Sequence, residues 1–418
     1  MVNNIIKNEV LEQYAQLAIR TGLNVQKDQK VLIQANTDVN YFVRLCVKEA
    51  YEAGAKSVMV QWMDDEVSHL NFSYETAEEL EKIPGYTLAR TQYLMDENYA
   101  RLFIASSAPG VMADIDPEKL QRAMMARQKE PVIQAFRQYS MANTTQWSIV
   151  AVPTLEWAVK VFPEEEPEVA LKKMWEAILK AVRIKENEDA NLAWQEHNQR
   201  LHHQNAVLNK YNFKFLHFSN SLGTDIKVGL IKNHHWAGGK ETAKNGIVFN
   251  PNMPTEESFT MPDPNNVDGI VYASLPLDHS GRLVEDFWIK FEAGKVVDYD
   301  AKKHKEVIKE IVETDEGSSR LGEIALISYH SPISEMGILF YNTLFDENAS
   351  CHMALGAAYP MNLKDSENLT QDQLKEIGMN QSAQHVDFMF GTPDLKVVGT
   401  TYDGQQVEIF KDGDFILK

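Results

Sequence analysis

The stretch SEMGILFYNTLFDENASCHMALGAAYP (334–360), followed after a polar insert by QHVDFMFG (384–391), decides how the second half of this chain is read. His385-Val386-Asp387-Phe388-Met389-Phe390 alternates and is rich in apolar and aromatic residues, which predicts a β-strand. On a strand, residues i and i+2 leave the same face. His385 and Asp387 then stand side by side, as two ligands of one metal cluster need. Glu347, His352 and Tyr359 lie just upstream. Glutamate, aspartate and histidine are the usual ligands of a hydrolytic Zn²⁺, Co²⁺ or Mn²⁺ site. The plainer reading is two polar residues on the wet face of an ordinary strand. A His-x-Asp pair by itself does not separate the two.

Working outward, the rest of the second half has strand texture. Residues 213–218 and 224–230 alternate with period two around a turn at Ser221-Leu222-Gly223, which predicts a hairpin. Residues 246–250, 269–273, 287–291 and 324–328 read as further strands, and 301–314 as a helix. These signals predict an α+β catalytic domain with a curved, largely antiparallel sheet or open barrel. The first half differs. Short apolar strands at 30–35, 57–62, 101–106 and 147–152 alternate with helices, notably 5–22 and 117–138. That pattern predicts an α/β domain with an open, mostly parallel sheet. A chain of 418 residues carries two domains as the prior expectation, and we divide it at 1–205 and 206–418.

Residues 166–210 read as a long, charged helical connection containing Glu196, His197, His202 and His203. His197 and His202 are five apart, which splits them around a helix. No H-E-x-x-H occurs, so the segment reads as a solvated helix face. G-x-G-x-x-G after the first strand, a phosphate-binding G-x-x-x-x-G-K-[ST] loop and a G-x-S-x-G elbow are also missing, which argues against nucleotide binding and serine hydrolysis.

Composition narrows the function classes. Lys+Arg is 41 and Asp+Glu is 60, a net charge of −19, which disfavours nucleic acid and anionic membranes as partners. The N-terminus shows no signal-peptide pattern, and no apolar run is long enough to span a bilayer. The two cysteines, Cys46 and Cys351, suggest no disulfide framework and fit a reducing, cytoplasmic setting. Cys351 beside His352 reads as a small buried residue rather than a nucleophile.

Two more carboxylates sit where structure changes. One belongs to the proline-led turn Asn252-Met253-Pro254-Thr255-Glu256-Glu257, and Glu323 stands at the mouth of an apolar strand. Taken singly, each reads as a capping or solvated glutamate.

Together these segments resemble the metallo-aminopeptidase family of aminopeptidase T, aminopeptidase S and PepS. The resemblance covers essentially the whole chain and is densest over 213–418. It rests on Gly-Thr-Asp-Ile (223–226), Asn-Met-Pro-Thr-Glu-Glu-Ser-Phe-Thr (252–260) and Phe-Glu-Ala-Gly-Lys-Val-Val-Asp (291–298). Gly-Glu-Ile-Ala (322–325), Phe-Asp-Glu-Asn-Ala-Ser-Cys-His-Met-Ala-Leu-Gly (345–356), Tyr359 and His-Val-Asp-Phe-Met (385–389) complete it. It departs from the family at Asn220-Ser221-Leu222, where a more Gly/Pro-rich lead-in is expected. That position touches no ligand.

The resemblance implies two divalent metal ions (Zn, Co or Mn) held by Glu257, Glu323, Glu347, His352, His385 and Asp387. It also implies catalytic roles for Glu323 and Tyr359. Glu323 is either a bridging ligand or the acceptor of a proton, and the residues do not separate these. The implied activity is metal-dependent removal of N-terminal residues from short peptides with a free N-terminus, through a metal-activated water. A homodimer is implied as well. Two other readings stand beside it. A non-catalytic binding or assembly protein would scatter the six residues, and a metal-dependent amidase would not require a free α-amine.

Overall fold

The computed structural model describes residues 5–186, 188–279, 281–366 and 369–418. The chain divides into two compact units. One comprises Met1–Glu196 with Lys240–Pro254, the other His197–Gly239 with Thr255–Lys418.

The first unit is built on β1 (Lys30–Asn36), β2 (Ser57–Met63), β3 (Ala100–Ala105) and β4 (Trp147–Ala151). They form one sheet in the order β2-β1-β3-β4, and every pairing is parallel. Parallel strands covered on both faces carry near-continuous apolar runs. Val31, Leu32 and Ile33 of β1 are all buried accordingly. The reading of an open parallel sheet holds. The helix expected over 117–138 is two helices, Pro117–Lys129 and Pro131–Met141. Pro131 lacks an N–H and disfavours helical backbone at Glu130, so the chain breaks there and restarts. The first helix, Asn8–Gln16, continues as a π-turn over Leu17–Gly22.

The chain then runs through β5 (Phe215–Ser219) and β6 (Asp225–Leu230) of the second unit. It returns to the first as a short hairpin, β7 (Glu241–Thr242) with β8 (Val248–Phe249). Two backbone bonds fasten this return, from Asn250 N–H to the Gly22 carbonyl and from Ile149 N–H to the Pro251 carbonyl. No change in composition marks it, so a single boundary drawn from sequence does not express it.

The second unit continues with β9 (Ser258–Thr260), β10 (Pro262–Tyr272), β11 (Leu277–His279), β12 (Arg282–Glu292), β13 (Lys295–Lys303) and β14 (Leu321–Leu326). It ends with β15 (His352–Gly356), β16 (His385–Met389), β17 (Lys396–Thr400), β18 (Gln406–Lys411) and β19 (Asp414–Phe415). One large sheet runs β11-β12-β10-β6-β5-β17-β18-β19, with β13 also paired to β12, and its ends do not close into a barrel. Its pairings are antiparallel. The expected helix over 301–314 begins only at Lys305, because residues 301–303 finish β13.

A second antiparallel sheet, β16-β15-β14-β9, carries the residues of interest. One of its faces presents Ile324, Leu326, Met353, Leu355, Val386 and Phe388 to the unit's core, where they meet Phe287, Phe291 and Phe410. Each large side chain fully buried there contributes roughly 1.5–3 kcal/mol. Strand period two then forces residues 323, 352, 354, 385 and 387 onto the opposite face.

The helical segment 166–210 is also interrupted. Helices Pro167–Ala181 and Ala190–Tyr211 flank a break. Glu196, His202 and His203 are exposed, as expected of a solvated face. His197 is the correction: it is only 2% exposed. Buried residues recur at Trp194, His197, Asn198, Leu201, Asn205 and Leu208, which is one face of a helix. The spacing of the histidines alone concealed this stripe.

Candidate metal centre

Strand register assembles the centre. Glu323 of β14 stands opposite Ala354 of β15, and Ala354 stands opposite Asp387 of β16. Ala325 pairs with His352, and Gly356 with His385. Glu323, His352, His385 and Asp387 therefore share one face, with the methyl group of Ala354 in the row between Glu323 and Asp387. Glu257 precedes β9 by one residue and is buried.

The donor atoms form two groups. Those of Glu257, Glu323 and His352 lie within 4.8 Å of one another, and so do those of Glu323, His385 and Asp387. Glu323 belongs to both and divides its oxygens between them. Its Oε1 is 3.4 Å from His352 Nε2, and its Oε2 is 3.7 Å from His385 Nε2. His352 Nε2 is also 3.4 Å from Glu257 Oε2, and His385 Nε2 is 3.2 Å from Asp387 Oδ1. Most of these separations exceed an ordinary N–H···O bond. They match the edge of a coordination shell, since ligands at about 2.0–2.1 Å from a tetrahedral ion stand about 3.3 Å apart.

The imidazoles are turned for ligation. His385 Nδ1 lies 2.6 Å from the Ala357 carbonyl, which only accepts, so Nδ1 carries a proton and Nε2 points into the centre. His352 Nδ1 faces the Ser350 carbonyl at 3.4 Å in the same sense. Asp387 Oδ1 is buried and faces His385 Nε2 without a well-formed hydrogen bond. Such an under-satisfied acceptor is costly unless a cation meets it.

The electrostatics point the same way. Burial pushes Glu347 well above the usual carboxylate range, and the charges of Glu257, Asp387 and Glu323 add to it. Glu347 begins a turn over Glu347–Ala349 and lies outside both groups, but within reach of their charge. Glu323 is raised by burial, against the pull of His352 and His385. Burial alone lowers His385, yet Asp387 and Glu323 outweigh it and bring it up to about 10. His352 is raised well above its ordinary value against its burial, by Glu257 and Glu323. Burial pushes Asp387 up, but His385 and His352 hold it below the usual range. The centre is short of positive charge and draws in a cation, either a proton on an imidazole or a divalent ion between the donors.

Tyr359 is partly buried beside the centre, its ring 4.8 Å from that of His385 and 6.5 Å from that of Phe259. Burial and then the charges of Glu323 and Asp387 raise its hydroxyl well above the ordinary value, so it stays a neutral donor. Cys351 is buried with its Sγ bonded to the Ile327 carbonyl, and burial pushes the thiol up to about 12. That is the inert packing residue expected. Of the seven residues singled out in the sequence, five form the two groups, and Glu347 and Tyr359 border them. The contributions of Ala354 and Ala357 were not anticipated. The first could have been found as the small residue alternating with His352. The Ala357 carbonyl leaves no side-chain signal.

A sheet face bearing carboxylate–imidazole groups around one glutamate is an arrangement that could hold the metal of a metal-dependent hydrolase. The chain belongs to the M29 metallopeptidases, matching over residues 7–415 the family described as thermophilic metalloprotease (M29). Aminopeptidase AmpS of Bacillus subtilis (strain 168) is 42% identical over 408 residues, covering 98% of each chain. Aminopeptidase T of Thermus aquaticus is 38% identical over 411 residues, covering 98% of this chain and 99% of its own. The structure of wild-type AmpT from Thermus thermophilus superposes with a TM-score of 0.91 at 37% identity, covering 99% of this chain and 100% of that one.

Proposed function

We infer that the protein is a metallo-aminopeptidase that removes N-terminal residues from short peptides with a free N-terminus, using two divalent ions per chain. The observation that carries this reading is the division of Glu323 between two donor groups beside one sheet face. The ligands in this reading are Glu257, Glu323, Glu347, His352, His385 and Asp387. Four carboxylates offset the four positive charges of two ions, and the neutral imidazoles and carboxylates suit Zn²⁺, Co²⁺ or Mn²⁺. When bound, such ions supply Lewis acidity and make water a nucleophile near neutral pH.

The protein's own groups do the rest. Glu323 holds the two halves of the centre in register. The Ala357 carbonyl fixes the tautomer of His385. The Tyr359 hydroxyl donates to the oxyanion that develops on the scissile carbonyl.

The family relation and the acidic surface support a cytoplasmic enzyme working on peptides, and we propose a homodimer as its assembly. Cys46 and Cys351 are both unpaired buried thiols, consistent with a reducing compartment. No helix among the described residues is long and apolar enough to cross a membrane.

Two measurements test this reading. Release of the N-terminal residue from a short unblocked peptide is expected to stop with EDTA and return with Co²⁺, Zn²⁺ or Mn²⁺, while the N-acetylated peptide stays intact. Cleavage of the acetylated peptide would point to an amidase, and activity indifferent to chelator would sink the metal reading. The second concerns Ala354. A larger side chain there fills the space between Glu323 and Asp387, so Ala354→Leu is expected to reduce bound Zn²⁺ below two equivalents in equilibrium dialysis. Its cost to the metal-free fold is expected to stay within about 1–3 kcal/mol by denaturant melt. Retention of both equivalents would show that the row between the carboxylates is not the metal's place.

A further inference from the structure

The loop that delivers Glu257 is anchored from behind by a histidine outside the centre. His197 Nε2 lies 2.7 Å from the carbonyl of Thr255, two residues before Glu257. Its Nδ1 lies 2.8 Å from Nη2 of Arg200. A guanidinium only donates, so Nδ1 must be the accepting nitrogen and Nε2 must carry the proton. A carbonyl only accepts, so the Nε2–H donates to Thr255. Arg200 thereby fixes the tautomer, and the tautomer fixes the loop.

The next residue is held from the other side. Glu256 N–H donates to Asn348 Oδ1 at 2.7 Å, and Asn348 adjoins Glu347. A Cβ at Gly238 would also stand 2.1 Å from the Glu257 carbonyl oxygen, and Gly238 has φ +138°, so only glycine lets the two backbones approach. Thr255, Glu256, Glu257, His197 and Asn348 are all less than a tenth exposed. A buried backbone clamped this way places the Glu257 carboxylate without help from solvent.

We propose that His197, with its tautomer set by Arg200, is a positioning residue for Glu257 and so for one of the two metal sites. This rests on the reading of Glu257 as a ligand. His197 touches neither substrate nor metal. Its contribution is to hold the loop in the ligating geometry before an ion arrives.

The test is Zn²⁺ binding to the full chain, with affinity from competition against a chelating dye and stoichiometry from equilibrium dialysis. Outer partners of metal ligands typically carry about 10–100-fold in affinity, and an anchor two residues away belongs at the lower end. His197→Phe is expected to weaken one of the two equivalents about tenfold and to leave the other near wild type. His197→Gln keeps an N–H at similar reach and is expected to stay within about threefold of wild type. Arg200→Met, at an exposed position, frees the tautomer and is expected to weaken the same equivalent by a smaller factor. It also decides the matter if His197→Phe fails to fold. Wild-type affinity in both His197→Phe and Arg200→Met would overturn the proposal. Equal loss in His197→Gln and His197→Phe would overturn it too, by showing that ring shape and not the donated proton matters. A wild-type chain that binds fewer than two equivalents would instead refute the ligand assignment on which the proposal stands.

Discussion

Glu323→Gln is expected to lower kcat/KM by roughly 10³-fold or more and to weaken both metal equivalents together, since the glutamate serves two sites at once in the proposed centre. Glutamine keeps the length of the side chain and one acceptor oxygen, but replaces the other with an N–H₂ and removes the charge. Its amide cannot accept on both sides, where Oε1 and Oε2 now face His352 and His385. Substituting a proposed ligand of one group alone, such as His352 or Asp387, should weaken one equivalent and spare the other. The comparison is made by dialysis with Zn²⁺ alongside steady-state hydrolysis of an unblocked dipeptide. Loss of a single equivalent in Glu323→Gln would mean that the carboxylate is not shared. Full metal content with lost turnover would move Glu323 from ligand to proton acceptor.

Tyr359→Phe is expected to separate chemistry from binding. The variant loses only the hydroxyl, and the ring contacts with Phe259 and His385 remain available. Removing one donor to an oxyanion typically costs about 10²–10³ in kcat. The KM and the metal stoichiometry should be unchanged, because nothing in the two donor groups is altered. A rise in KM with kcat intact would reassign Tyr359 to substrate binding.

Much of the scaffold was legible because local pattern and tertiary role agree. The runs around Val31-Leu32-Ile33 and Leu102-Phe103-Ile104 are continuous because parallel strands are covered on both faces. The alternation His385-Val386-Asp387-Phe388 reports one face toward the core and one toward chemistry, and the register confirms that Val386 and Phe388 face the core. What was not legible depends on register between strands far apart in sequence. Nothing in Gly322-Glu323-Ile324 says that this glutamate lies across from Ala354 and reaches two imidazoles. His197 was misjudged because it was compared with other histidines rather than with the buried stripe from Trp194 to Leu208. The break at Pro131 was available from the sequence and follows from the missing N–H.

The return of residues 240–254 to the first unit limits how the second half can be moved or inherited. A fragment 206–418 would hold all six proposed ligands and Tyr359. It would lack His197 and Arg200, and it would carry a fifteen-residue insertion cut off from the strand and turn that bind it through Ile149 and Gly22. Glu257 is the third residue after that insertion ends. The ligand-bearing half is thus not a transferable cassette. A single crossover between the halves would part residues 240–254 from the unit they belong to, just ahead of the proposed ligand Glu257, so the two units are expected to be inherited as one gene.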